Sequence, residues 1–342
     1  MVVAGAAAVA LLVSAQFFTA RRSAPPISFT EVKVRYGERA RQIEVAGVDV
    51  NYRDEGSGPA LVLLHGSFGS LRMFDDMVRE LGDGYRTIRY DQPPSGLSGP
   101  VPPEFSLTSE AFLSEFLDRL GVGPVALLGT SSGGIIAYRF AATYPERVRA
   151  VILSNIPPSA PVDNEGARAR LPLKLRWSMG ACVRYARPFS RTCWRDFLTA
   201  YFERRQRVTD ALVTEYYDLN RRPGASEFTS MTAIMRDDGE VQRFLGAVKA
   251  PTQLIWGMLD PVLPPETLEL LDGRLSSSQV RVDRLDDVNH YPPLEAPEEV
   301  AALTRQFLDA VISADESAFG QGGVTAHPSL NPAFANRSRA SH

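Results

Sequence analysis

The chain of 342 residues holds two cysteines and four histidines, and that scarcity argues against a zinc enzyme at the outset. A structural zinc site takes four N or S ligands at short spacing. Cys182 and Cys193 cannot supply them alone, and His65, His290, His327 and His342 show no ligand spacing. Charge of one sign is also missing, because 37 Lys and Arg stand against 40 Asp and Glu for a formal net charge of −3. A chain so balanced has no global field for a polyanion, and no nucleic-acid partner is expected. Apolar residues, by contrast, make up 44% of the chain, enough for a full-sized core.

One stretch lacks charge altogether. From Val2 to Ala20 only Ser14, Gln16 and Thr19 interrupt an apolar run that Arg21 and Arg22 close. A helix of that length reaches about 28 Å, close to the hydrocarbon thickness of a bilayer, and it has no polar face of the kind a soluble helix shows. Residues 1–26 are therefore expected to be a membrane anchor or a signal segment, the latter cut near Ala15, Ala20 or Ala24. No Lys or Arg precedes the run, which counts against a cleaved signal. The Arg pair beyond it favours a cytoplasmic position for the rest of the chain, so anchored and exported readings both stand and the side of the membrane stays open. At the other end, residues 314–342 are rich in Gly, Ser, Asn and Pro without periodicity, and a disordered tail is expected.

Between the ends, short Val/Leu/Ile runs alternate with helical patterns, as in a mostly parallel sheet flanked by helices. Ala46-Gly47 splits Ile43–Tyr52 into an opening hairpin. Strands are expected at Leu61–Leu64, Thr87–Tyr90, Val125–Leu128 and Val148–Leu153, nearly continuous in apolar residues, and again at Gln253–Trp256 and Val280–Leu285. Helical spacing covers Leu107–Leu120, with Gly121 as its stop, then Ile135–Tyr144 and Glu298–Ile312. After Asn155 the prolines at 157, 158 and 161 break the pattern, and strand character returns only near Gln253. The predicted organisation is an α/β core over 27–155 and 249–313, with a helical insertion over 156–248.

Gly129-Thr130-Ser131-Ser132-Gly133 lies between a buried strand and a helix and matches G-x-S-x-G. A tight strand-to-helix turn needs small residues on both sides of a nucleophile, so that Ser131 stands above the helix N-terminus and the Ser132 backbone N–H faces a developing oxyanion. Ser132 is a rival nucleophile, but Thr130 and Gly134 flank it less suitably. A serine needs a base. His290 is the one histidine inside the folded body after Ser131, on a loop behind a strand, while His327 and His342 fall in the tail. Asp260 ends another strand and is the expected acid, which gives the order Ser131, Asp260, His290. The alternative acid position holds Asn155, whose amide carries no charge. Asp163 is a weaker substitute, and Asp286 and Asp287 fit a solvated turn.

Over Val45–Val311 these features resemble the α/β-hydrolase superfamily in its capped branch of esterases, lipases and C–C bond hydrolases. His65-Gly66-Ser67-Phe68-Gly69 is similar to that branch's HG-x-x-G loop, which implies that the Ser67 backbone N–H pairs with that of Ser132, and that His65 braces the loop. Asp91-Gln92-Pro93-Pro94-Ser95-Gly96-Leu97-Ser98 resembles its D-x-x-G-x-G-x-S turn, with Pro94 where glycine is usual; Phe74 stands where tryptophan is common. Ser131 disfavours the branches with an Asp or Cys nucleophile, namely dehalogenases, epoxide hydrolases and dienelactone hydrolases. The expectation is a serine hydrolase that needs no cofactor or metal and cleaves a hydrophobic carboxylic ester. C–C bond, amide or lactone cleavage by the same triad is the alternative, and a non-catalytic binding protein is the alternative of another class.

Capped hydrolases select substrates with the insertion. Between Ile156 and Ala250 sixteen Lys and Arg exceed eleven Asp and Glu. Arg168, Arg170, Lys174 and Arg176 interleave with Leu171, Leu173, Leu175 and Trp177, either as a surface for an anionic membrane or as a solvated helix face that buries its leucines. Cys182 and Cys193 fit a disulfide in an oxidising compartment equally with two separate buried thiols.

Overall fold

The computed structural model describes residues 25–157, 169–185, 188–225, 238–275 and 279–321. The apolar run 2–20, Asp163, Arg168, His327 and His342 lie outside these residues. The opening hairpin forms as the sequence predicts, from β1 (Arg41–Val45) and β2 (Val48–Glu55), with Ala46 and Gly47 both at positive φ (48° and 78°) in its two-residue turn. Six further strands complete the set: β3 (Ala60–Leu64), β4 (Arg86–Tyr90), β5 (Val125–Thr130), β6 (Val148–Ser154), β7 (Thr252–Gly257) and β8 (Val280–Leu285). Together they form one eight-stranded sheet in the order β1-β2-β4-β3-β5-β6-β7-β8. Only the β1–β2 and β2–β4 pairs are antiparallel.

Continuous apolar strands are explained by the two layers of helices they face. Successive side chains of a strand point to opposite faces. Val62 and Leu64 of β3 thus join Leu127, Val151, Leu254 and Trp256 on one face, with α3 (Ser109–Arg119), α4 (Ser132–Thr143), α8 (Asp238–Ala247) and α9 (Pro265–Asp272). Leu61 and Leu63 join Leu128, Ile152 and Ile255 on the other, with α2 (Asp75–Leu81) and α11 (Pro297–Gln321). The edge strand β8 is only half-buried, and its sequence Val-Arg-Val-Asp-Arg-Leu alternates accordingly. A short helix before the sheet, α1 (Phe29–Tyr36), is tied on by Arg35 and Tyr36, which both bond Asp218.

Helix ends reflect local chemistry. α3 starts at the Thr108 cap, whose Oγ1 accepts the Ala111 N–H, and stops before Gly121 at φ 63°. α11 corrects the expected tail boundary: the helix runs to Gln321 rather than ending at Ile312 with a tail from 314. Ala314, Asp315, Glu316, Ser317, Ala318 and Phe319 contain neither Pro nor Gly, so nothing local stops it before Gly320.

Between β6 and β7 lie α5 (Leu173–Tyr185), α6 (Arg191–Ala200), α7 (Asp210–Asn220) and α8. Cys182 of α5 and Cys193 of α6 form a disulfide, which settles the choice the sequence left open. On α5, Leu175 is buried, whereas Leu173 (65%) and Trp177 (71%) are exposed one turn apart beside exposed Lys174 and Arg176. Among the described residues no helix is long and apolar enough to cross a membrane.

Candidate active site

The chain leaves β5 and enters α4 through Ser131, which sits at φ 50°, ψ −128°, a backbone conformation that costs a non-glycine residue energy. The glycines on either side explain why the turn closes. A Cβ on Gly129 would lie 2.5 Å from the Gly133 carbonyl oxygen, and one on Gly133 would lie 2.2 Å from that of Leu64. The pinch leaves Ser131 at the carboxyl end of the sheet, 8% exposed.

β7 and β8 deliver the other two predicted residues. The His290 loop comes after β8, and Asp260 comes after β7. His290 Nε2 lies 3.1 Å from Ser131 Oγ, and His290 Nδ1 lies 2.6 Å from Asp260 Oδ2. With a carboxylate at Nδ1, that nitrogen carries the proton and Nε2 accepts from the Ser131 hydroxyl. Asp260 is fully buried, and both of its oxygens are used. Oδ1 accepts the Val262 and Leu263 N–H groups (2.7 and 3.0 Å), and Oδ2 accepts the Asn155 amide (2.8 Å) besides His290. Asn155, whose amide carries no charge, thus meets Asp260 as a hydrogen-bond donor. Its Oδ1 also accepts the Gly257 N–H, which fixes the amide's orientation at the end of β7.

The rival serine points elsewhere. Ser132 Oγ accepts a hydrogen bond from Ser67 Oγ at 3.0 Å, while the Ser131 N–H donates to the Ser154 carbonyl. The backbone N–H groups of Ser67 and Ser132 donate to no protein acceptor among the described residues. Ser132 opens α4, where the first N–H groups lack intrahelical partners and the helix dipole favours negative charge.

A buried polar frame supports the Ser67 loop. His65 donates from Nδ1 to the Gly66 carbonyl and accepts the Gln92 N–H at Nε2 (2.8 and 2.9 Å), and burial lowers its pKa so that it stays neutral. The Asp91 carboxylate accepts from Leu71 N, Leu97 N and the Asn51 amide, which ties the 91–98 turn to β2. Arg222, just beyond α7, clamps that turn through the carbonyls of Pro94, Gly96 and Ser98. Asn220 of α7 donates to the Phe68 carbonyl at 3.0 Å.

Aromatic rings from α6 and from Tyr201, the residue that caps its C-terminus, face the same centre. Trp194, Phe197 and Tyr201 recur at helical spacing. Phe68 packs edge-on against Trp194 and Phe197, and Tyr201 packs edge-on against the His290 imidazole at 5.2 Å. Tyr291 packs edge-on against the same imidazole at 4.5 Å and against Tyr201 at 6.1 Å, and burial pushes its phenol pKa well above the ordinary value, so it stays neutral. Asp287 lies at the surface and pairs with Arg204.

Comparison with known proteins agrees with this fold. A 2-hydroxy-6-oxo-6-phenylhexa-2,4-dienoate hydrolase of Comamonas testosteroni is 26% identical, covering 76% of this chain and 91% of that protein. A monoacylglycerol lipase of Xenopus laevis is also 26% identical, covering 76% of this chain and 78% of its own length. The crystal structure of a membrane phospholipase A shares the fold at a TM-score of 0.64 and 24% identity, covering 91% of this chain and 98% of that one. The family model described as alpha/beta hydrolase fold matches residues 59–297, a span that includes Ser131, Asp260 and His290. On that match and this fold, the chain belongs to the α/β-hydrolase family of enzymes.

Proposed function

We propose that the chain cleaves a carboxylic ester through an acyl-serine intermediate. The observation that carries the reading is the continuous relay from Ser131 Oγ through His290 to the buried Asp260, at 3.1 and 2.6 Å. His290 Nε2 takes the hydroxyl proton as Oγ bonds to the ester carbonyl carbon. The carbonyl electron pair moves to oxygen, where the Ser67 and Ser132 N–H groups stabilise it. Collapse of this intermediate breaks the C–O bond, and His290 returns the proton to the leaving alkoxide. Water then repeats the sequence on the acyl-serine, releasing the acid and restoring Ser131. Asp260 holds the imidazole in the Nδ1–H tautomer and stabilises its charged form.

The aromatic wall of Phe68, Trp194, Phe197 and Tyr201 fits a hydrophobic ester, and residues 156–248 act as the cap that supplies the last three. Residues 1–26 act as an anchor or signal segment. The Pro25 carbonyl accepts a hydrogen bond from Arg221, so the chain enters the described fold beside the cap. The exposed Leu173 and Trp177 with their basic neighbours then meet an anionic bilayer. Trp177 is exposed while Trp194 and Trp256 are buried, so a blue shift of its emission on anionic vesicles, lost in Trp177→Phe, supports that contact and an unchanged spectrum refutes it. Cleavage of a C–C bond by the same triad is the second reading, favoured by the kinship with the Comamonas testosteroni enzyme.

Labelling by a fluorophosphonate in wild type and Ser131→Ala, with turnover of p-nitrophenyl esters of increasing acyl length, tests the proposal. Labelling lost in the variant and turnover dependent on chain length are expected. Folded wild-type protein that takes no label overturns the acyl-serine mechanism. Labelling without ester turnover moves the reading to the C–C substrate class.

A further inference from the structure

Glu295 closes the short helix α10 (Pro292–Glu295) five residues after the base, and it is fully buried. Both carboxylate oxygens are spent on backbone N–H groups from two distant parts of the chain. Oε1 accepts from Glu203 and Arg204 at 2.7 Å each, and Oε2 accepts from Asn289 at 2.8 Å. Burial raises the pKa of this carboxyl, and the three donors oppose that shift.

The neighbours of these donors give the contact its meaning. The Asn289 side chain accepts the His290 N–H at 2.8 Å, so the backbone held by Glu295 is the backbone that carries the base. Glu203 and Arg204 come directly after Tyr201 and Phe202, whose rings pack against His290 and Tyr291 at 5.2 and 6.5 Å. One buried carboxylate therefore grips the imidazole's loop with one oxygen and the segment beside the imidazole with the other. Hydrogen bonds to an ionised acceptor are stronger and more directional than neutral ones.

We propose that Glu295 is a positioning residue of the hydrolytic centre, holding the His290 loop and the 201–204 segment in the one arrangement that keeps the imidazole between Ser131 and Asp260. The assignment rests on the acyl-serine reading. It predicts an effect on the chemical step, because a shift of about 1 Å in a catalytic group can cost on the order of 100-fold in rate.

Glu295→Gln tests it. An amide has one acceptor oxygen, so its NH2 must face the N–H groups of either Asn289 or the 203–204 pair. The expected result is a fall in kcat for p-nitrophenyl butyrate on the order of 10- to 100-fold, with KM changed less than about threefold. Fluorophosphonate labelling slows in parallel, since the same imidazole must take the Ser131 proton. Glu295→Asp keeps the charge but falls one methylene short, and a decrease of the same sign is expected; it decides the matter if the glutamine variant does not fold. Arg207→Ala removes the ion pair with Glu298 that joins the same segment to α11, and wild-type kcat is expected. Wild-type kcat in a folded Glu295 variant overturns the proposal, as does an equal loss in Arg207→Ala, which would mean general fastening rather than positioning. If wild type itself takes no label, the acyl-serine reading falls and this assignment with it. A labelled wild type matched by Glu295→Gln at the same rate removes Glu295 alone.

Discussion

Replacing Asp260 by Asn keeps the shape of the acid and removes its charge, and the hydrogen bonds around it fix the outcome. The carboxylate accepts four donors, two on each oxygen. An asparagine side chain has one accepting oxygen, so its NH2 must confront two donors in either orientation. With the oxygen kept toward His290 and Asn155, the Val262 and Leu263 N–H groups lose their acceptor. At about 1–3 kcal/mol per buried unsatisfied group, the two together cost the fold on the order of 2–6 kcal/mol. With the amide reversed, NH2 faces His290 Nδ1 and drives the proton to Nε2, so the ring can no longer accept from Ser131. Both orientations also remove the charge that stabilises the imidazolium. The loss in kcat is expected to be about 10³- to 10⁴-fold, or about 4–5.5 kcal/mol in the barrier. Steady-state hydrolysis of p-nitrophenyl butyrate measures the rate, and thermal unfolding measures the stability. A folded Asp260→Asn protein that keeps more than a tenth of wild-type kcat would refute the assignment of Asp260 as the acid.

Gly133→Ala sets a Cβ within 2.5 Å of the Leu64 and His65 carbonyl oxygens, both of them backbone, and is expected to destabilise by about 3 kcal/mol and abolish phosphonate labelling; a normal melting temperature with normal labelling counts against the pinched turn. His65 is buried neutral with its folded pKa below the ordinary value of 6.5. Its contribution is therefore complete above pH 6.5 and declines as the pH falls below it, because the unfolded chain takes the proton first. Urea midpoints at pH 7.5 and 5.5 should drop more in wild type than in His65→Gln, and equal drops refute this. Reducing the Cys182–Cys193 bond reopens a loop of 11 residues, with an expected loss of up to about 3 kcal/mol; a Cys182→Ser/Cys193→Ser variant with unchanged melting and proteolysis would show that the bond does not restrain α5 and α6.

The nucleophile turn was readable because its cause is local. The steric demand for Gly129 and Gly133 around a residue at positive φ is written within five positions. The same holds for the opening hairpin at Ala46-Gly47 and for strands whose unbroken Val, Leu and Ile demand burial on both faces. The order of Ser131, Asp260 and His290 could be anticipated because each comes after a recognisable strand. The extra turns of α11 also have a local signal, a stretch free of Pro and Gly before Gly320, although the Gly-, Ser-, Asn- and Pro-rich composition beyond it points to a tail.

Tertiary structure alone decided the rest, because those features depend on which remote segments meet. Asn155 was legible as a failed acid and not as a donor to Asp260, since no local spacing relates two residues 105 positions apart. His290 reaches Ser131 Oγ from 159 positions away, while Ser132 Oγ accepts from Ser67, 65 positions earlier. Nothing in the sequence near Glu295 announces that its carboxylate reaches back to residues 203 and 204, and the pairing of Cys182 with Cys193 needed α5 and α6 to lie side by side. Sequence determined the pieces whose energetics are steric and short-range; the closed chain determined which buried polar groups satisfy one another, because a hydrogen bond is made only where folding brings donor and acceptor within about 3 Å.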